Sequence, residues 1–189
     1  MIPLTKYLQE FDSAHILYVF EEKNNYIENM MAYIKAGTES GHHLIIIENQ
    51  NVFHEVEEKI KKLYSNEEQK YIHHIDNYSF YRSYTKSHMQ SIVKHFHNKL
   101  NACINENSTI RTWAHVEWKS NNTSSNKLEE FDNIEDCSLS EIGIMSVCAY
   151  DASAISASLQ TKLLRNHEYF MTDKELVRSS LFGIPKKCS

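Results

Sequence analysis

Acidic and aromatic side chains stand at the ends of the apolar runs of this chain, where they could act together. The acids are Glu21, Glu22, Glu48, Asp76, Glu117 and Asp151, the aromatic residues are Trp118 and Tyr150, and the amide Asn49 follows Glu48. Carboxylates can serve as acids, bases or metal ligands, and the rings of Trp and Tyr can line a pocket for a small organic molecule. Their joint chemistry depends on the elements that position them.

A metal centre is one chemistry that these residues allow. His115 and Glu117 are two residues apart and would face the same way on a strand. Imidazole and carboxylate suit zinc or iron, so a metal-assisted hydrolase is the alternative function. The adjacent pairs His42-His43 and His73-His74 would point to opposite faces of a strand, so neither pair alone chelates a metal.

Nucleotide hydrolysis and nucleophilic catalysis lack their usual motifs. The chain has no G-x-x-x-x-G-K-[ST] and no G-x-G-x-x-G, and its first turn, FEEKNNY, would bring Glu21 and Glu22 towards a phosphate. There is no G-x-S-x-G, and Cys148 within an apolar run is typical of a buried thiol. The sequence therefore predicts a protein that is not an enzyme and needs no cofactor.

Strand and helix patterns alternate along the chain. The strand candidates are HILYVF (15–20), HLIIIE (43–48), YIHHID (71–76), TIRTWAHVEWK (109–119) and GIMSVCAY (143–150). Five strands separated by helices predict a three-layer α/β/α fold with a mainly parallel sheet of five or more strands. Ligands of such sheets bind beyond the carboxyl ends of the strands, so the acidic and aromatic residues are expected to form one rim.

Apolar residues at helical spacing connect the strands. Gly37 or Gly41 is expected to end the first helix, and Thr172 with Glu175 to form the capping box of a last short helix. Helices are also expected over residues 89–103 and from residue 128. The polar segment 120–126 between them would leave the rim as a flexible loop and could act as a lid.

Composition narrows the class of protein. The 189 residues carry a net charge of −5 and 41% hydrophobic residues, which suits one domain over residues 1–189. The net negative charge does not favour binding of nucleic acid, whose phosphates require clustered Lys and Arg. The N-terminus lacks a signal-peptide pattern, and no run is apolar enough for a membrane helix. The four cysteines form no C-x-x-C pair, so a cytoplasmic location with reduced thiols is expected.

Five short motifs occur in a fixed order: HILYVF, YIKAG, RTWAHVEW, CAYD and NHEYF. Together the set resembles the MEDS sensory domain, named after methanogens, methylotrophs and the dichloromethane-metabolism repressor, over a core of about residues 11–182. The resemblance implies a RecA/KaiC-like core without a phosphate loop and a role in bacterial or archaeal signalling, sensing small hydrocarbon-like molecules.

The resemblance also points to particular residues. The positions that match the family pattern are His15, Trp113, Glu117, Cys148, Tyr150, Asp151 and His167. With the rim, they give the predicted ligand-binding set: His15, Tyr18, Glu21, Glu22, Trp113, His115, Glu117, Trp118, Cys148, Tyr150, Asp151 and His167.

The leading hypothesis is a regulatory module without catalytic activity. Its expected partner is a small organic ligand or a signalling protein, either a kinase or a transcription regulator. Members of the family often carry a kinase, PAS or DNA-binding domain, and none is recognised here, so a free-standing sensor is expected. A homodimer formed through an edge strand is a further possibility.

Overall fold

The computed structural model describes residue 8 and residues 13–83, 109–117 and 144–184. Its strands are β1 (Ala14–Phe20), β2 (His43–Glu48), β3 (Ile72–Asp76), β4 (Ile110–His115), β5 (Met145–Asp151), β6 (Tyr169–Met171) and β7 (Leu176–Arg178). Its helices are α1 (Lys23–Glu39), α2 (Gln50–Leu63), α3 (Asn66–Gln69), α4 (Asn77–Ser83) and α5 (Ala157–Asn166), with a 3-10 turn at Ala152–Ala154.

The seven strands form one sheet in the order β3-β2-β4-β5-β1-β6-β7. All neighbouring strands are parallel except the β6–β7 pair, which is antiparallel. The predicted three-layer α/β/α fold with a mainly parallel sheet is confirmed. All five predicted strands are present, and the hairpin β6–β7 adds two short strands beside β1.

Helices α1 and α2 bury their apolar sides against one face of the sheet, here called the α1 face. Tyr26, Met30 and Ile34 lie on one side of α1 because they are four residues apart. They share a core with Tyr18 of β1 and Trp113 of β4. This face carries most of the large buried side chains, so it forms the main hydrophobic core.

Helix α5 covers the opposite face, here called the α5 face. Leu17 of β1, together with Cys148 and Tyr150 of β5, forms a small core there. Leu163 and Leu164 of α5 pack against that core and are only partly buried. The helix begins at Ser156, whose side chain accepts a hydrogen bond from the N–H of Leu159 at 3.1 Å. Among the described residues, the core on the α5 face is thus smaller than the core on the α1 face.

Two glycines near the end of α1 have different roles. Gly37 lies within the helix and does not end it, since the helix continues to Glu39. A Cβ at Gly37 would come within 2.6 Å of Leu44 Cδ2, so this glycine allows β2 to approach closely. Gly41 has a φ of 70° and supplies the left-handed residue that returns the chain into β2.

The predicted capping box at Thr172 and Glu175 is wrong. These residues form the turn between β6 and β7, where the N–H of Thr172 donates to the carbonyl of Glu175 at 2.8 Å. The hydroxyl of Thr172 accepts from the N–H of Glu175 at 3.2 Å. A threonine hydroxyl satisfies backbone N–H groups in turns as it does at helix starts, so the same two residues fit both structures.

Several predicted features lie outside the described residues: the helices over 89–103 and from 128, the loop 120–126, and Trp118. Within the described ranges, no helix has both the length and the apolar character needed to cross a membrane.

Candidate functional site

Glu48, the last residue of β2, is the centre of a polar network on the α1 face. Its side chain is fully buried. Its Oε1 lies 2.8 Å from Nδ1 of His115 and 2.7 Å from the N–H of Asn49, while its Oε2 accepts a hydrogen bond from the hydroxyl of Tyr26. A buried carboxylate without such partners would be very costly, so these contacts make its position tolerable.

Aromatic rings enclose this carboxylate. The indole N–H of Trp113 donates to the Tyr26 hydroxyl at 2.9 Å, which extends the chain of hydrogen bonds away from Glu48. The ring of Phe20 lies 4.2 Å from that of Tyr26 and 5.3 Å from that of His115, measured between centroids. We call Glu48, Tyr26, Trp113 and His115 the Glu48 network. Trp113 and His115, two residues apart on β4, lie on the same face of that strand.

The Glu48 carboxylate sets the charge of His115. Burial by itself lowers the pKa of this imidazole, but the hydrogen bond and negative charge of Glu48 outweigh burial, so the pKa is raised above its ordinary value. The charges of Glu117 and Asp151 act in the same direction. His115 is therefore protonated more readily than an ordinary histidine, and in that form it makes an ion pair with Glu48.

Glu117, two residues past the end of β4, is half-buried and collects a second set of polar groups. Its Oε2 accepts from Nδ2 of Asn49 at 3.1 Å and from Nδ2 of Asn77 at 3.3 Å. Burial raises the pKa of this carboxyl, but hydrogen bonds from Tyr78, Asn77 and Asn49 lower it by more than burial raises it. The pKa of Glu117 is therefore below its ordinary value. Burial and the neighbouring Glu117 raise the pKa of Tyr78 to about 12. Glu117 is thus a carboxylate held by neutral donors.

The side-chain oxygen of Asn77 has no partner among the described residues. Asn77 is fully buried, and its Oδ1 accepts no hydrogen bond from any of the residues that the structure describes. Its Nδ2 is occupied by Glu117 and by the carbonyl of His115. We call Glu117, Asn49, Asn77 and Tyr78 the Glu117 cluster. Asn49 joins it to Glu48 through its own backbone N–H. Buried acceptors are rarely left unsatisfied, so the Asn77 oxygen is where a donor would bind.

The turn between β1 and α1 holds a carboxylate from a distant part of the chain. Asp173, in the β6–β7 turn, accepts from the N–H groups of Glu21 and Glu22 at 3.2 and 3.0 Å. It also accepts from the Tyr18 hydroxyl at 2.7 Å. Backbone N–H groups at a helix start are the groups that bind phosphate in nucleotide-binding folds. Here the protein's own carboxylate occupies them.

The twelve residues predicted to bind ligand lie in different parts of the molecule. Tyr18, Trp113 and His115 are buried on the α1 face, and Glu117 follows β4 at the same edge of the sheet. His15, Cys148, Tyr150 and His167 are buried on the α5 face.

The remaining predicted residues are at turns or beyond the described residues. Glu21 and Glu22 have exposed side chains, and their contribution to the turn after β1 is through the backbone. Asp151 accepts from the N–H of Ser153 at 2.7 Å and so caps the short 3-10 turn. Trp118 lies outside the described residues.

Sequence reasoning did not include Tyr26, Asn77, Tyr78 and Asp173 among the site residues. Asn77 and Tyr78 follow Asp76 directly at the end of β3, so the strand-end rule that selected Glu117 could have selected them. Tyr26 has the spacing of an ordinary core residue of α1. Asp173 carries no local signal, because its partners are about 150 positions away in the sequence.

Comparison with known families gives one result for this chain. The family model described as "MEDS: MEthanogen/methylotroph, DcmR Sensory domain" matches residues 14–168, from the first residue of β1 to just beyond α5. A comparison with curated proteins gives no match.

Proposed function

Because the chain belongs to the MEDS family of sensory domains, we propose that it is a signalling protein that binds a small organic molecule at the Glu117 cluster. The molecule would carry a hydroxyl or amine donor and no negative charge. Its donor would pair with the Asn77 oxygen, beside the rings of the Glu48 network. Binding there, rather than catalysis, is the proposed activity.

The observation that carries this proposal is the unpartnered Oδ1 of Asn77. A buried amide oxygen without a donor costs free energy that a ligand hydroxyl or amine would recover. The neighbouring Glu117 has a lowered pKa and stays ionised near neutral pH, so it repels anions and attracts donors. The location also fits the general rule that parallel sheets bind ligands beyond the carboxyl ends of their strands.

The output of such a sensor would be a protein. We propose that ligand binding changes the affinity of this domain for a kinase or a transcription regulator, because sensory domains act by passing a binding event to a second protein. That coupling requires the ligand to bind two states of the domain with different affinity.

The metal-assisted hydrolase built on His115 and Glu117 has less support. Nδ1 of His115 is held by Glu48, and Glu117 is held by amide groups. Among the described residues, the groups whose ligand atoms lie within 4.8 Å of one another contain neither His115 nor Glu117.

A thermal-shift titration tests the ligand proposal. Methanol, ethanol, propane-1,2-diol and methylamine serve as probes, because each carries a donor on a small apolar body. A ligand that binds only the native state must raise Tm as its concentration rises. We expect at least one probe to raise Tm in the wild-type protein and not in Asn77→Leu.

Asn51→Leu is the matched control, since Asn51 is an exposed asparagine on α2. It should keep the full response. If no probe raises Tm, and none shifts amide NMR signals of β2 and β4, binding of small donors at the Glu117 cluster is excluded.

A further inference from the structure

Three buried side chains on the α5 face come together without a role in the proposed ligand site. They are His15 of β1, Cys148 of β5 and His167, the residue that follows α5. Their ligand atoms all lie within 4.8 Å of one another, and the two imidazole centroids are 3.9 Å apart. We call these residues the histidine–thiol cluster.

Backbone carbonyls fix the orientation of both imidazoles. Nδ1 of His15 lies 3.1 Å from the carbonyl of Asn166, and Nδ1 of His167 lies 2.7 Å from the carbonyl of Leu163. A carbonyl oxygen only accepts hydrogen bonds, so each Nδ1 carries the proton and each Nε2 carries the lone pair. This is the arrangement that orients metal-binding histidines, in which a second group holds the nitrogen that does not bind the ion.

The lone pairs are available to an ion. Nε2 of His167 is buried and has no hydrogen-bond partner among the residues described. Nε2 of His15 lies 3.5 Å from Sγ of Cys148. Two ligands of one ion at the usual metal–nitrogen and metal–sulfur distances lie roughly 3.5 to 3.8 Å apart, depending on whether four or three ligands surround the ion. Burial lowers the pKa of both imidazoles, to about 4 for His167, so both are neutral near pH 7 as ligands must be.

The number of ligands and the charge balance indicate which ion fits. A thiolate with two imidazoles is a soft ligand set, suited to Cu(I) or Zn²⁺. Binding of either ion displaces the thiol proton of Cys148. One Cu(I) in place of one proton leaves the site neutral, whereas Zn²⁺ leaves one positive charge among the apolar side chains of Leu17 and Leu163. Structural zinc sites also use four protein ligands, and the described residues supply three here.

We propose that His15, Cys148 and His167 form a buried three-coordinate site for Cu(I), with two imidazole Nε2 atoms and one thiolate as ligands. The site lies on the face opposite the Glu48 network. It stands independently of the proposed small-molecule function, so a protein that fails to bind organic probes can still bind copper here.

An anaerobic titration with Cu(I) against the chromophoric chelator bicinchoninate tests the site. We expect one equivalent to be withheld from the chelator by the wild-type protein. Cys148→Ser and His167→Gln should each weaken binding by more than about 100-fold, since changes even to groups behind metal ligands cost about 10–100-fold. X-ray absorption should show one sulfur and two nitrogen scatterers, with the sulfur lost in Cys148→Ser.

Two kinds of control separate this site from adventitious copper binding. His54→Gln alters the exposed cluster of His54, Glu57 and Glu58, the other grouping in the described residues that could hold an ion. Cys103→Ser, Cys137→Ser and Cys188→Ser remove the remaining thiols of the chain. All four should bind Cu(I) as the wild type does. Cys148→Ala serves where the serine variant proves unfolded by circular dichroism.

Three results would overturn the proposal. The first is a wild-type affinity no higher than that of Cys148→Ser. The second is loss of binding in one of the other cysteine variants in place of Cys148→Ser. The third is retention of one Zn²⁺ by these three residues in preference to Cu(I) when both ions are offered.

Discussion

The two faces of the sheet each bury histidine, and they hold it in opposite states. On the α1 face, the carboxylate of Glu48 raises the pKa of His115. On the α5 face, His15 and His167 lie beside each other and a thiol, and burial lowers the pKa of both. All three imidazoles are buried. Burial alone therefore does not determine the charge of a histidine here; the partner at hydrogen-bonding distance does.

The opposite pKa shifts also give the buried histidines different roles on the two faces. When it is protonated and paired with a carboxylate, an imidazole has no lone pair to offer, so His115 in that form positions Glu48. A neutral imidazole whose Nδ1 is held by a carbonyl offers Nε2 to an ion or a donor. The same residue type thus serves electrostatics on one face and coordination on the other.

Removing the carboxylate should have the largest effect. Glu48→Ala leaves His115, the Tyr26 hydroxyl and the N–H of Asn49 without their common acceptor. Breaking a buried ion pair from one side costs about 3–5 kcal/mol, so urea unfolding should show a loss of that order. Glu57→Ala, which removes a partly exposed acid of α2 paired with Lys61, should leave the urea midpoint almost unchanged. If the two variants lost equal stability, the buried Glu48 network would contribute no more to folding than a surface acid.

Acid should weaken the α5 face more than the α1 face. The folded-state pKa of His167 is about 4, below its ordinary value of 6.5, so the unfolded chain binds more protons between these pH values. Stability of the metal-free protein should fall by about 3 kcal/mol as pH drops through this window. For His115 the sign is reversed: its raised pKa contributes stability at low pH that is lost as pH rises through the folded-state value.

Histidine NMR titration separates the two contributions. The signals of His167 should not titrate until pH approaches 4, whereas those of His115 should titrate above the ordinary histidine range. Titration of His167 near pH 6.5 in the folded protein would contradict the contrast between the faces.

Two tyrosines of α1 give a smaller, paired test. The Tyr26 hydroxyl donates to the charged Glu48, while the Tyr33 hydroxyl is shared between the neutral carbonyls of Thr112 at 2.9 Å and Met145 at 3.1 Å. Hydrogen bonds to charged groups contribute about 1.5–3 kcal/mol and neutral ones about 0.5–1.5 kcal/mol. Tyr26→Phe should therefore destabilise more than Tyr33→Phe in chemical unfolding. The reverse order would mean that the Glu48 carboxylate is not the stronger acceptor.

The smallest effect is expected at the thiol. In metal-free protein, Sγ of Cys148 lies 3.5 Å from Nε2 of His15. Cys148→Ser replaces one small side chain by another that can also donate to His15, so unfolding should change by about 1 kcal/mol or less. A loss comparable with that of Glu48→Ala would show that the thiol is as important to folding as the carboxylate.

The strands could be predicted from the sequence because each is an uninterrupted apolar run. β2, with the sequence HLIIIE, is buried along almost its whole length, as a strand covered on both faces must be. β6 and β7 could not be predicted in the same way, since each has three residues and β7 is largely exposed. Their turn also uses a threonine and a glutamate that fit a helix start equally well.

The residues of each site could be predicted better than the contacts that they make with one another. Glu48 and His115 both end apolar runs, but their contact requires β2 to lie beside β4, which the order of strands along the chain does not specify. His15 and Cys148 meet because β1 pairs with β5 and places Leu17 opposite Cys148. When two residues meet only because their strands are neighbours in the sheet, their spacing in the sequence cannot predict the contact.

The carboxylate of Asp173 has a consequence for any dissolved anion. Because it is tethered to the turn after β1 by the β6–β7 hairpin, its two backbone contacts are intramolecular. A tethered group competes at an effective concentration of roughly millimolar or above. Free phosphate must therefore displace the Asp173 carboxylate before it can bind the N–H groups at the start of α1. The β6–β7 hairpin thus disfavours binding of anions at this turn.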